Sequence, residues 1–136
     1  MTDQFPGLET GECLDLTRAT IIDCTVVTAA VVKGQLVALT DVAGTLPSVC
    51  PAGAASVIAN GIVVAYKDGG TGAVGEKVSV GFKGVFKGLI GNGGVTAGKT
   101  FISDAWGHAC DGNTIGAIIG RSMQTGPSGD TALLIL

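Results

Sequence analysis

Charge is scarce in this 136-residue chain: Asp, Glu, Lys and Arg together make up 14% of it. Eight basic residues against eleven acidic ones leave a net charge of −3, and no run of Lys and Arg occurs. Nucleic-acid phosphates are held by clustered cations, so no nucleic-acid partner is expected. Aromatics are scarcer still, with four Phe, one Tyr and one Trp. Low net charge beside 46% hydrophobic residues excludes a disordered chain, which needs the opposite balance. Apolar runs are short, broken by Lys33, Asn60 or Gly, and none approaches the roughly 18 residues of a membrane span. The stretch from Met1 to Pro6 has neither the basic start nor the apolar core of a signal peptide, so a product of the cytoplasm is expected.

What the chain has is glycine, 23 of 136 residues, more than twice the usual share of about 7%. These glycines keep no period of three, which excludes collagen. They also disfavour long helices, where each costs about 1 kcal/mol relative to Ala. The four cysteines (Cys13, Cys24, Cys50, Cys110) form no CxxC pair. An even count permits two disulfides, but without a secretory signal free thiols acting as small buried hydrophobes are the favoured reading.

Short runs rich in branched residues alternate with turn formers. The runs are Cys13–Thr17, Ile21–Val27, Gln35–Leu39, Ile62–Tyr66, Lys77–Val80, Phe82–Leu89, Thr100–Ile102, Ile115–Arg121 and Thr131–Leu136. Strands at this spacing predict an all-β fold, a small β-sandwich or β-barrel with an extended N-terminal arm. Residues 1–11 form the arm and residues 12–136 a single β domain. Ala52–Ala59 has the composition for one short helix. Three segments share a template of Gly, a polar residue, any residue, then an apolar one: Gly34 to Val37, Gly75 to Val78 and Gly98 to Phe101. Each reads as a turn delivering the chain into a strand whose buried face begins at the apolar residue.

The two ends differ from the middle. Gln4, Phe5, Pro6 and Leu8 sit among polar residues without periodicity. Leu133, Leu134, Ile135 and Leu136 close the chain as an apolar run that should be buried in a sheet or at a subunit contact.

Candidate chemistry is thin. Gly93-Gly94-Val95-Thr96-Ala97-Gly98-Lys99-Thr100 matches the phosphate-loop pattern, but that chemistry needs a helix after the loop, and strand-like residues follow. His108 is the only histidine; with Cys110 it offers two local ligands where structural zinc takes four. Ser103, Asp104 and Asp111 lie near His108 in sequence, but there is no G-x-S-x-G elbow to build a triad. Phe82-Lys83-Gly84-Val85-Phe86-Lys87 mixes rings and bases; strand parity predicts Phe82 and Phe86 inward and Lys83 and Lys87 in water. No catalytic residue, cofactor or metal site is expected, and the chain is not read as an enzyme.

The order from Glu12-Cys-Leu-Asp-Leu-Thr17 to Val32-Lys-Gly-Gln-Leu-Val37 is similar to the N-terminal half of tailed-phage head decoration, or cement, proteins. Gly75-Glu-Lys-Val-Ser-Val-Gly-Phe-Lys-Gly-Val-Phe86 resembles their central strand pair. The segments Val95–Ile102, Gly116–Arg121 and Asp130–Leu136 resemble their C-terminal half, while Thr40–Asn60 lies outside the likeness. The resemblance implies a structural protein on the outer capsid surface that binds the major capsid protein, stabilises capsomer joints and assembles as a homo-oligomer, most often a trimer. On that footing Gln4, Phe5, Pro6 and Leu8 would add to a coat-protein sheet edge, and Leu133–Leu136 would make subunit contacts. The alternative is a virion-surface or secreted β-module for host or glycan adhesion, with Trp106 or Tyr66 exposed in a shallow site.

Overall fold

Glycine-closed turns and branched aliphatic runs build ten strands in the computed structural model, which describes residues 7–40, 44, 46–53 and 58–136. Five of them, β1 (Thr20–Val26), β2 (Leu36–Thr40), β3 (Ser48–Pro51), β4 (Gly61–Tyr66) and β5 (Lys77–Lys83), close into a barrel in the order β1-β3-β2-β4-β5. Antiparallel pairing of β1 with β5 shuts the ring, and β1 runs parallel to β3. The other five, β6 (Val85–Leu89), β7 (Thr100–Ser103), β8 (Ala109–Asp111), β9 (Gly120–Ser122) and β10 (Thr131–Ile135), form a second sheet in the order β6-β10-β9-β7-β8. The all-β expectation holds. The helical element described is one 3-10 turn, Leu16–Arg18, where the Asp15 carboxylate accepts from the Thr17 amide at 3.1 Å.

Alternation along the strands sorts side chains into two cores. Cys24, Val26, Val37, Val49, Val63, Val78 and Val80 cluster as one core, contributed by the strands of the barrel. Leu36 and Ile62, adjacent to Val37 and Val63, join Phe86, Ile90, Phe101 and Leu134 in a second core that welds the barrel to the second sheet. Burying one such side chain contributes about 1.5–3 kcal/mol, so this shared core is what couples the two sheets.

The three template glycines behave alike. Gly34, Gly75 and Gly98 have φ of 82, 90 and 83°. Each stands third in a turn closed by a backbone bond: Gln35 to Val32 (3.1 Å), Glu76 to Ala73 (3.0 Å) and Lys99 to Thr96 (3.0 Å). Positive φ at that position is what a type II turn requires. Three residues after each glycine, Val37, Val78 and Phe101 are fully buried. The same turn returns at Gly11, Gly93, Gly116 and Gly129.

Some elements differ from their sequence reading. Cys13–Thr17 contributes a single bridge, Cys13 opposite Phe86, and then the 3-10 turn. Ile115–Arg121 begins as a turn, and only Gly120–Ser122 is a strand. Phe82–Leu89 is interrupted at Gly84, whose φ of 131° carries the chain from the barrel into the second sheet. Phe82 packs against the barrel core and Phe86 enters the shared core, while Lys83 is exposed and Lys87 is only 5% exposed. Two strands, β3 and β8, were not anticipated. The helix considered for Ala52–Ala59 falls on residues 54–57, outside the described residues.

Candidate functional site

Part of the N-terminal segment is docked on the fold. Gly11 donates to the Lys87 carbonyl (2.6 Å), Lys87 to that of Glu12 (3.0 Å) and Leu14 to that of Val85 (2.8 Å). Residues 11–14 thus pair with β6, which stands at the end of its sheet. The Lys87 ammonium donates to the Leu8 carbonyl at 2.7 Å, tying the half-buried Leu8 to the same strand. Burying a lysine is tolerable only with such partners. Gln4, Phe5 and Pro6 lie outside the described residues.

At the other terminus, Leu133 and Leu134 are buried in the chain's own fold, paired through β10 with both β6 and β9. Ile135 is 38% exposed and Leu136 half-buried, so these two are what the C-terminal run presents outward.

The glycine-rich loop has none of the phosphate-loop context. Two successive turns, Gly91–Gly94 and Thr96–Lys99, lead straight into strand β7. The Thr96 amide and hydroxyl both donate to the Asp111 carboxylate, at 2.8 and 2.6 Å. A cleft of about 510 Å³ lies beside this loop, lined among others by Lys99, Thr100, Asn113 and Arg121. Much of its polar lining serves the fold: Arg121 donates to the Gly98 carbonyl (3.0 Å) and Thr100 to that of Gly112 (2.6 Å).

A second cleft, about 380 Å³, opens where the β7–β8 hairpin meets the turns after β6 and before β10. Trp106, the single tryptophan, borders it and is 72% exposed. Asp104 organises this hairpin: one carboxylate oxygen accepts from the amides of Trp106 (2.8 Å) and His108 (2.9 Å), the other from Asn92 (3.3 Å). The Trp106 carbonyl accepts from the Gln35 side chain (2.8 Å) and the Gly107 carbonyl from the Leu36 amide (2.7 Å). The tip is therefore pinned to β2 of the barrel. Tyr66, the other aromatic considered for a surface site, packs against the barrel core with the Lys33 ammonium 5.2 Å from its ring centre. Asp-x-Trp-Gly-His, with an acid two residues before a lone aromatic and a turn glycine after it, was the sequence signal for such a tip.

His108 lines this same cleft, half-buried. Burial, aided by the charges of Asp104 and Asp111, pushes the Cys110 thiol up from its ordinary pKa and keeps it protonated. Burial beside Asp23 likewise pushes Cys24 up to about 11. All four cysteines are free thiols. Among the described residues no three His, Cys, Asp or Glu side chains converge as a metal site, and no helix is long and apolar enough to cross a membrane.

No protein-family model matches this chain, and no curated protein matches its sequence. Its fold does have a counterpart among solved structures, the N base of the head fiber gp8.5 of bacteriophage phi29. The two superpose with a TM-score of 0.58 over 87% of this chain and 93% of that one, at 13% sequence identity. Across so little shared sequence, what the two chains have in common is the β architecture.

Proposed function

We propose that this chain is a structural protein of a phage head, a decoration or cement protein that binds the outer capsid surface and catalyses no reaction. The observation that carries this reading is the shared architecture with a phage head fiber base, which spans nearly the whole of both chains. The surface is compatible with coverage by neighbours. Ile115 is 97% exposed at the tip of the Thr114–Ala117 turn, and Leu16 (69%) and Val74 (56%) stand out elsewhere.

In this reading the arm residues Gln4, Phe5, Pro6 and Leu8 bind the major capsid protein by adding to a coat-protein sheet edge. Ile135 and Leu136 contribute to contacts within a homotrimer. Weak attachments repeated on a lattice act together, so modest single-site affinity is enough to brace capsomer joints.

Co-sedimentation of the full chain with expanded heads tests the proposal. Binding is expected for the full chain and loss of binding for a chain lacking residues 1–6, which keeps Gly11 and Leu14, the residues bonded to β6. Failure of the full chain to sediment with heads would overturn the reading. Light scattering should give three times the 13.4 kDa chain mass for the trimer.

A further inference from the structure

We infer that the Trp106 cleft is a carbohydrate-binding site, accepting a neutral sugar ring stacked on the indole. Trp106 is the only tryptophan, and leaving it 72% exposed forgoes the burial such a side chain normally gains. The backbone that carries it is nevertheless fixed. The backbone on either side is held by the Asp104 carboxylate and by Gln35 and Leu36 of the barrel. A ring presented on a held backbone loses little freedom on binding, which is the condition for a small ligand to bind at all.

The surroundings select the ligand class. At about 380 Å³ the cleft falls in the size range of small-ligand sites, roughly 300–1,000 Å³. Beside the indole its lining carries an amide (Asn92), an imidazole (His108), a hydroxyl (Ser128) and the carboxylates of Asp104 and Asp130. An apolar ligand would strip water from these groups without replacing its hydrogen bonds. A phosphate or other anion would meet two carboxylates and no Lys or Arg in the lining. A neutral sugar satisfies both halves: its C–H face packs on the indole and its hydroxyls donate and accept at the rim. Gly91 lets Asp104 pack close, since a Cβ there would stand 1.9 Å from the carboxylate, and nothing lies within 4 Å of a notional Cβ at Gly129 in the lining.

Because Trp106 is the sole tryptophan, its emission reports directly on the cleft. Purified full-length protein is titrated with glucose, galactose, mannose and N-acetylglucosamine, then with their β-linked disaccharides. A saturable emission shift with at least one of them is expected. Saturation-transfer NMR of that sugar should show binding about tenfold or more weaker for Trp106→Ala and clearly weakened for Asn92→Ala. The melting midpoint should stay unchanged, because the Trp106 side chain points outward. No saturable shift with any of these sugars, or undiminished transfer in Trp106→Ala, would overturn the inference. So would a Trp106 that binds none of them but becomes shielded from acrylamide on capsids, which would make it a protein-docking residue. The sugar titration itself uses no capsid, so its failure is separate from failure of the head-protein reading.

Discussion

The ring of Phe86 lies directly over Gly81, at the point where the barrel and the second sheet meet. A Cβ at Gly81 would stand 2.2 Å from the far atom of that ring and 2.5 and 2.9 Å from its flanking atoms. Gly81 belongs to β5 and Phe86 to β6, so a missing side chain on one sheet is filled by a ring from the other. Gly81→Ala should destabilise the protein by about 1–3 kcal/mol through overpacking, and Phe86→Ala by about 3–5 kcal/mol through the cavity it leaves. Chemical denaturation of both, of Phe86→Leu, and of Gly81→Ala with Phe86→Leu checks this. The double variant should be less destabilised than the sum of its parts, because the shorter side chain makes room for the new methyl.

The turn glycines separate strain from crowding. Gly75 and Gly98 have positive φ and open space around a notional Cβ, whereas at Gly34 that atom would lie 2.5 Å from the Thr10 methyl. Alanine at Gly75 or Gly98 should cost about 1–2 kcal/mol, the penalty of left-handed backbone. Alanine at Gly34 should cost more, in the same denaturation series.

Glu76 gives the fold an acid-sensitive latch. Its carboxylate accepts from the Thr71 amide (2.8 Å) and the Ala73 amide (2.9 Å), and these bonds, with the Thr71 hydroxyl, hold it below the ordinary value of 4.5. A lowered folded-state pKa means the stabilisation is complete above the ordinary value and is lost as pH falls through the lowered one. Melting midpoints measured from neutral pH downward should fall more steeply below 4.5 for the natural protein than for Glu76→Gln, which has no proton to gain.

Thiol reactivity should divide the cysteines. Cys24 is fully buried with its pKa pushed up to about 11, so at pH 8 about a thousandth of it is thiolate. Denatured protein should show four titratable thiols, and native protein should leave Cys24 unreacted the longest, with Cys110 also slowed. A disulfide in the purified protein would contradict this.

Lys87 clamps the N-terminal segment. Replacing it in Lys87→Met keeps the length of the side chain but removes the donor to Leu8. Hydrogen exchange should then rise at the Gly11 and Leu14 amides, which pair with β6, while the β10 amides stay protected.

Local signals were legible in the sequence. Gly34, Gly75 and Gly98 announced three strand entries, and the apolar residue three places on was buried each time because turn type and strand parity are properties of adjacent residues. What depends on distant pairing was not legible. Ser48–Pro51 follows Pro47 and ends on a proline, which hides it as a strand, yet it sits in the barrel between β1 and β2, pairing with the preceding β2 and running parallel to β1 from earlier in the chain. Lys87 points away from the Phe86 core, as parity predicts, and reads as a surface residue until residues 8–14 fold over it. The lone Trp106 was visible as a candidate, but the cleft beside it is assembled from three turns that only the folded chain brings together.

Both ends of the second sheet are occupied by the chain itself: residues 11–14 cover β6, and the stretch from Ile90 to Gly94 bonds to Ala109 and Asp111 of β8. A lattice gathers many copies of one protein at very high local concentration, the setting in which an open ladder would recruit its neighbours into fibres. Here crowding has no such outlet in the sheets described. On the head-protein reading proposed above, contacts between copies fall to side chains rather than to open ladders of the described sheets. They can be retuned one substitution at a time while the scaffold beneath stays as it is.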